Sequence, residues 1–265
     1  MIGAVFGDIV GSKFEWNNIK TNDFDLFQES MIFTDDSVMT IALSKALMEY
    51  VGGNGKLQDL AVKNMRLFGK KYPNAGYGER FKEWLKTDNP QPYNSFGNGA
   101  AMRVSACGWV GKTLDEVKQL SYDVTVVTHN HLEGLKGAEA TAVAIFMARI
   151  GKSKDEIKQE MQKYYSLTRT LAEIRENYGY DVSCQGTVPP AIQAFLEAKD
   201  FEDAIRNAIS LGGDSDTLAA ITGSIAEAYF GVKERDIEFV KSKLDWELWD
   251  VLSDFANKFN AEKIE

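Results

Sequence analysis

The sequence predicts an all-α protein, a single multi-helix domain spanning residues 1–265. Three observations carry that prediction. Apolar residues recur at helical spacing through most of the chain; no run reads as a strand; and there is neither a low-complexity linker nor a repeat of about 20 to 50 residues. With 265 residues, 44% of them hydrophobic, the chain supplies a substantial core.

Gly3, Gly7 and Gly11 open the chain with residues small enough for backbones to approach closely, and Glu15 falls on or just after that first helix. An irregular polar stretch follows through Glu29. From Asp36, the residues Met39, Leu43, Leu47 and Tyr50 share one stripe, stopped by Gly52-Gly53-Asn54-Gly55. Leu57 to Phe68 is a second amphipathic helix. From about Tyr72 to Cys107 the periodicity fades among Gly, Asn, Pro and aromatic residues, and a long irregular segment of this kind is more often functional than idle.

Leu114 to Val124 reads as a helix. Around Leu135 to Arg149 another is rich in Gly137, Ala138, Ala140, Ala142 and Ala144, which suits the centre of a bundle. Further helices are expected at Lys154 to Tyr164, Leu167 to Tyr178, Pro189 to Ala198, with Pro189 and Pro190 at its start, and Asp200 to Leu211. Leu218, Ile221, Thr222 and Ile225 mark a buried helix, and Asp236 to Phe259 gives one or two terminal ones.

The net charge of −9 argues against general nucleic-acid affinity, and the two separated cysteines, Cys107 and Cys184, against disulfide-dependent folding. No run approaches the roughly 18 apolar residues of a membrane span, and no signal-peptide pattern opens the chain. The expectation is a cytoplasmic monomer.

Two motifs stand out, each at a helix start: Thr34-Asp35-Asp36-Ser37 and Gly212-Gly213-Asp214-Ser215-Asp216-Thr217. Helix capping accounts for either one alone, but a cap needs one side chain and each motif offers two carboxylates and a hydroxyl. Four carboxylates in one cleft resist simultaneous ionisation unless cations compensate them. Hard oxygen donors without Cys or His favour two Mg²⁺ ions, or Mn²⁺, over Zn²⁺. The partial likeness of Asp214 to Leu218 to the D-x-D-x-T signature of aspartate-nucleophile phosphatases fails, being one residue short and preceded by a helix instead of a strand.

The stretch from Ser95 to Arg103, with Gly97, Asn98 and Gly99, is either a flexible turn entering a helix or a phosphate cradle. Both histidines lie in Thr128-His129-Asn130-His131, where a polar helix start or a substrate contact is favoured over a metal site. Cys184 has no His or basic partner nearby in sequence and reads as a packed small residue.

Together with Gly7-Asp8-Ile9-Val10-Gly11-Ser12-Lys13-Phe14-Glu15, these motifs resemble, in content and order, those of the ADP-ribosylglycohydrolase family. The resemblance implies an all-α fold with a dinuclear Mg²⁺ or Mn²⁺ centre in a cleft for ADP-ribose. By motif position, Thr34, Asp35, Asp36, Asp214, Asp216 and Thr217 would hold the metals, with Asp216 contacting both. Asp35, Asp216 and Glu15 would serve catalysis. Ser95, Gly97, Asn98, Gly99 and His129 would line the substrate pocket, the substrate being an ADP-ribosylated protein or small molecule. Relatives that cleave an arginine linkage carry an acid where this chain has Ser95, which keeps serine-linked and small ADP-ribosyl compounds open. A dimetal nucleotide phosphohydrolase and a non-catalytic ADP-ribose-binding protein are the competing readings.

Overall fold

Gly3, Gly7 and Gly11 lie four residues apart on helix α1 (Ile2–Ser12) and therefore share a face. That face meets α12 (Ser215–Phe230) backbone to backbone. A Cβ at Gly3 would fall 2.3 Å from the Gly223 carbonyl oxygen, one at Gly7 2.0 Å from that of Ala219, and one at Gly11 2.4 Å from Asp216 Cα. Contacts that rise along one helix descend along the other, so the two are antiparallel. The C-terminal end of α1 is thereby set against the N-terminal end of α12, where Asp214 and Asp216 stand.

The computed structural model describes residues 1–259. Among them are fourteen α-helices, a 3₁₀ turn at Asn98–Ala100, and one isolated antiparallel bridge, Gly97 to Ser183. Between α1 and α12 come α2 (Asp35–Val51), α3 (Leu57–Lys71), α4 (Glu79–Lys86), α5 (Ser105–Val110), α6 (Leu114–Thr125), α7 (Leu132–Arg149), α8 (Lys154–Met161), α9 (Leu171–Asn177), α10 (Cys184–Glu197) and α11 (Phe201–Ile209). The described chain ends with α13 (Glu234–Lys243) and α14 (Trp246–Phe259). Residues 260–265 of the domain expected from the sequence lie outside the described part.

Helix α7 is the hub. It packs on α5, α6, α10 and α12, and its Gly137, Ala138, Ala140, Ala142 and Ala144 are buried. Small residues there let four neighbours close in without voids. Met39, Leu43 and Leu47 of α2 and Phe201, Ala204, Ile205, Ala208 and Ile209 of α11 are buried as their spacing requires. No described helix is long and apolar enough to cross a membrane.

Three of the differences from the sequence-based expectation have a plain local cause. The stretch from Tyr72 to Cys107 is not wholly irregular, since it contains α4 and α5; α4 buries Phe81, Trp84 and Leu85, a one-sided contact too short to give a sustained pattern. Helix α9 starts at Leu171, not Leu167, because Thr170 and Glu173 form a capping box. Helix α10 starts at Cys184, capped by Ser183, so Pro189 and Pro190 lie inside it. Pro190 cannot donate to the Gly186 carbonyl. That carbonyl instead accepts the Tyr178 hydroxyl at 3.1 Å.

Candidate metal and substrate site

The site assembles where α1 ends and α2 and α12 begin. Asp8 is the one charged residue of α1 and is completely buried. Its Oδ2 accepts the backbone N–H groups of Thr34 at 2.9 Å and Ser37 at 3.0 Å together with the Ser37 hydroxyl, while Oδ1 accepts the Thr34 hydroxyl at 2.5 Å. Asp8 thus clamps the first turn of α2. Thr34 in turn accepts the Asp36 N–H at 3.3 Å as the N-cap. The sequence-based set omitted Asp8; the signal was a lone acid in an otherwise apolar helix.

This clamp brings Asp36 to the head of α12. Single carboxylate oxygens from Asp8, Asp36 and Asp216 lie within 4.8 Å of one another, and so do oxygens from Glu15, Asp214 and Asp216. Asp216 belongs to both groups. Asp36 Oδ2 accepts the Thr217 hydroxyl at 3.2 Å, but Asp36 Oδ1 is buried with no hydrogen-bond partner. Asp214 occupies the N-cap position of α12 without making a side-chain cap, so capping does not account for it. Its Oδ2 accepts the Asn98 amide at 2.6 Å, and the same amide reaches Thr187 Oγ1 at 3.1 Å. Gly212 and Gly213, both with φ of 70°, make the left-handed turn that precedes Asp214, where a side chain would be strained. The Gly213 N–H and carbonyl are both held by the Asn18 amide, at 2.8 and 2.9 Å. Asp35 lines the same cavity but belongs to neither tight group, and its N–H donates to the Ala75 carbonyl at 2.7 Å.

Burial is the first cause that pushes every one of these acids toward its protonated form. Asp36, crowded further by Asp8, Asp35 and Asp214, and Asp216, crowded by Asp36 and Asp214, rise well above the usual carboxylate range. Asp35 rises to about 7, with Asp8 the largest charged contributor. Asp8, Asp214 and Glu15 rise as well, opposed in Glu15 by the Tyr180 hydroxyl. None of the ion pairs among the described residues involves any of the six. Buried acids without a counter-cation, one of them with an orphaned oxygen, fit a divalent metal. Asp8, its lone pairs largely taken by four donors, fits the task of positioning better than ligation.

All of these acids except Asp8 open into a cavity of about 450 Å³, whose lining also includes Arg80, Arg103, Tyr93 and His129. That volume is typical of small-ligand pockets. Ser95, Gly97, Asn98 and Gly99 border it too. Most N–H groups of the stretch are engaged: Asn98 N–H goes to the Val182 carbonyl at 2.7 Å, Ala100 to Gly97 at 3.2 Å, Ala101 and Met102 to Asn98 at 2.8 and 3.1 Å, and Gly97 to the Ser95 hydroxyl at 3.2 Å. It offers space beside His129 Nε2, which stands 3.7 and 3.6 Å from where Cβ atoms at Gly97 and Gly99 would sit. His131 is the N-cap of α7, accepting the Glu133 N–H at 3.1 Å. Cys184 is buried against the Gly97 carbonyl at 3.2 Å, its thiol pushed up to about 12 by burial. Beside Glu15, Tyr180 donates its hydroxyl to Oε1 at 3.1 Å and stacks on Trp16, which is 75% exposed.

A family model described as ADP-ribosylglycohydrolase matches residues 1–263. The chain is 24% identical to mouse (Mus musculus) ADP-ribosylhydrolase ARH3, the match covering 99% of this chain and 91% of the relative. It is 26% identical to the human (Homo sapiens) protein of that name, covering 96% and 90%. A solved structure titled ADP-ribosylglycohydrolase-related protein complex superposes with a TM-score of 0.72 at 20% identity, over 97% of this chain and 95% of that one. At that identity the structural match speaks for the fold alone.

Proposed function

The chain belongs to the ADP-ribosylglycohydrolase family, and from that premise we propose that it is a metal-dependent hydrolase cleaving the glycosidic bond at C1 of the distal ribose of ADP-ribosylated proteins or small molecules, with release of ADP-ribose. The observation that carries this reading is the sharing of Asp216 between two carboxylate groups, one buried and the other buried except for Glu15, beside an Asp36 oxygen that has no partner. Thr34, Asp35, Asp36, Asp214, Asp216 and Thr217 are the residues that would hold two Mg²⁺ ions, or Mn²⁺ in their place. Bound there, such ions supply Lewis-acid polarisation of the oxygens they hold and offset the acids' charge.

The chain's own groups do the rest. Asn98 orients Asp214, and Asp8 fixes the turn that carries Thr34 and Asp36. Ser95, Gly97, Gly99 and His129 border the space for the sugar and diphosphate. Glu15 is partly buried at the edge of the carboxylate cluster, and burial raises its pKa, which makes it a stronger base than a free carboxylate. In the reaction a water oxygen bonds to C1 as the bond from C1 to the acceptor breaks. Glu15 takes the water proton and returns one to the departing acceptor.

A hydrolysis panel with arginine-linked, serine-linked and small-molecule ADP-ribosyl substrates, with and without Mg²⁺, tests this. The expected result is Mg²⁺-dependent release of intact ADP-ribose, abolished in Asp216→Ala. AMP or free phosphate as the product would replace this reading with phosphohydrolysis. Tight ADP-ribose binding without turnover on any linkage would leave a binding protein.

A further inference from the structure

Arg103 is 1% exposed and forms none of the ion pairs among the described residues, an unusual placement for a cation. Its Nη2 donates to the Thr128 hydroxyl at 2.6 Å and lies 3.3 Å from His129 Nδ1. The Thr128 hydroxyl is itself 2.8 Å from that nitrogen and 3.3 Å from its other acceptor, the Thr125 carbonyl. A guanidinium only donates, and with Nη2 donating to it the hydroxyl has its own proton to give, best placed toward Nδ1. Nδ1 is therefore the acceptor, and the ring proton belongs on Nε2. The groups facing this imidazole are Arg103, the charge of Arg80, and the Tyr93 ring, 5.8 Å away. Burial first, then the two arginines, hold His129 well below its usual pKa.

Nε2 is the atom that faces Gly97 and Gly99 across the cavity, where the N–H groups of Gly97, Asn98, Ala100, Ala101 and Met102 are already engaged. We propose that Arg103 is a positioning residue: with Thr128 it locks His129 as the neutral Nε2–H tautomer, presenting a donor to an anionic oxygen of a ligand seated over Gly97 and Gly99. As to the ligand, this rests on the reading that the cavity takes ADP-ribose, whose diphosphate supplies such an oxygen.

The chain has two histidines, so His131→Gln leaves His129 as the sole imidazole for ¹⁵N NMR. The expected spectrum is Nε2-protonated with no titration from about pH 6 to 8. In that background, Arg103→Met and the near-isosteric Thr128→Val should each admit the other tautomer or restore titration. Each should also weaken ADP-ribose binding by calorimetry about 10-fold, the order of one hydrogen bond, and make it pH-dependent. The second variant keeps the test open if the first does not fold. A protonated Nδ1 or an imidazolium in the parent overturns the lock, as do unchanged tautomers in the variants. Unchanged affinity despite altered tautomers overturns its role in binding. A parent that does not bind ADP-ribose at all refutes the functional reading, and the spectra then decide the lock separately.

Discussion

At the scale of single residues, the site stores unfavourable electrostatics. Asp36 has one oxygen bonded to Thr217 and the other to nothing, and burial first, then Asp8, Asp35 and Asp214, raise its pKa. Replacing it by Asn removes one like charge from the cluster and keeps the shape. Asp36→Asn should therefore raise the melting temperature of the metal-free protein by a few degrees, on the order of 1 kcal/mol. It should also erase the stabilisation that Mg²⁺ gives the parent, together with turnover. Differential scanning fluorimetry with EDTA and with Mg²⁺ checks both; a lower metal-free melting temperature would count against charge crowding at this position. Asn98→Ala is milder, since it removes one donor from Asp214 and leaves the acids in place. A drop of about 10-fold in apparent Mg²⁺ affinity, with the fold intact, is expected from the loss of such a supporting bond, and Mg²⁺-titrated activity would measure it.

At the scale of elements, the crossing of α1 and α12 decides whether the site exists. At Gly7 a methyl would meet the Ala219 carbonyl oxygen and carbon at 2.0 and 2.3 Å, both backbone atoms that no rotamer change can move. Gly7→Ala should cost about 3 kcal/mol or more, read by urea denaturation, and should weaken Mg²⁺ binding by shifting Asp8 and Asp216 together. A cost below about 0.5 kcal/mol would mean that the helices are not packed this closely. Much of this was legible in the sequence: the small size of Gly3, Gly7 and Gly11, the apolar stripes of α2 and α11, and two acid-rich helix starts. Less legible were features that depend on partners distant in sequence. Asp8 shows its role only beside Thr34 and Ser37, and Asn98, expected among substrate contacts, has its amide committed to Asp214. Helix α10 runs through Pro189 and Pro190, and Tyr178 satisfies the Gly186 carbonyl that Pro190 leaves open.

At the scale of the whole molecule, the carboxylate cluster couples stability to pH and to cations. Asp8, Asp35, Asp36, Asp214 and Asp216 all have raised pKa values in the fold, Asp35 to about 7. Between about pH 4, where such groups ionise in an unfolded chain, and these raised values, the folded metal-free protein binds more protons than the unfolded one. Stability is then present at the acid end of that window and is lost as the pH rises. The partners that pull Glu156 down to about 2 and lower Glu173 and Glu202 act in the opposite sense, but they exhaust their effect below about pH 4.5. His129 and the Met1 ammonium, both lowered first by burial, oppose the trend inside the window but are two groups against five carboxylates. The melting temperature in EDTA should therefore fall from about pH 5.5 to 8. A divalent cation competes with those protons, so the gain from Mg²⁺ should grow over the same interval. Melting curves at several pH values, with EDTA and with Mg²⁺, test the coupling. If the Mg²⁺ gain were the same at every pH, the cation would be binding without displacing protons, and the buried acids could not be its ligands.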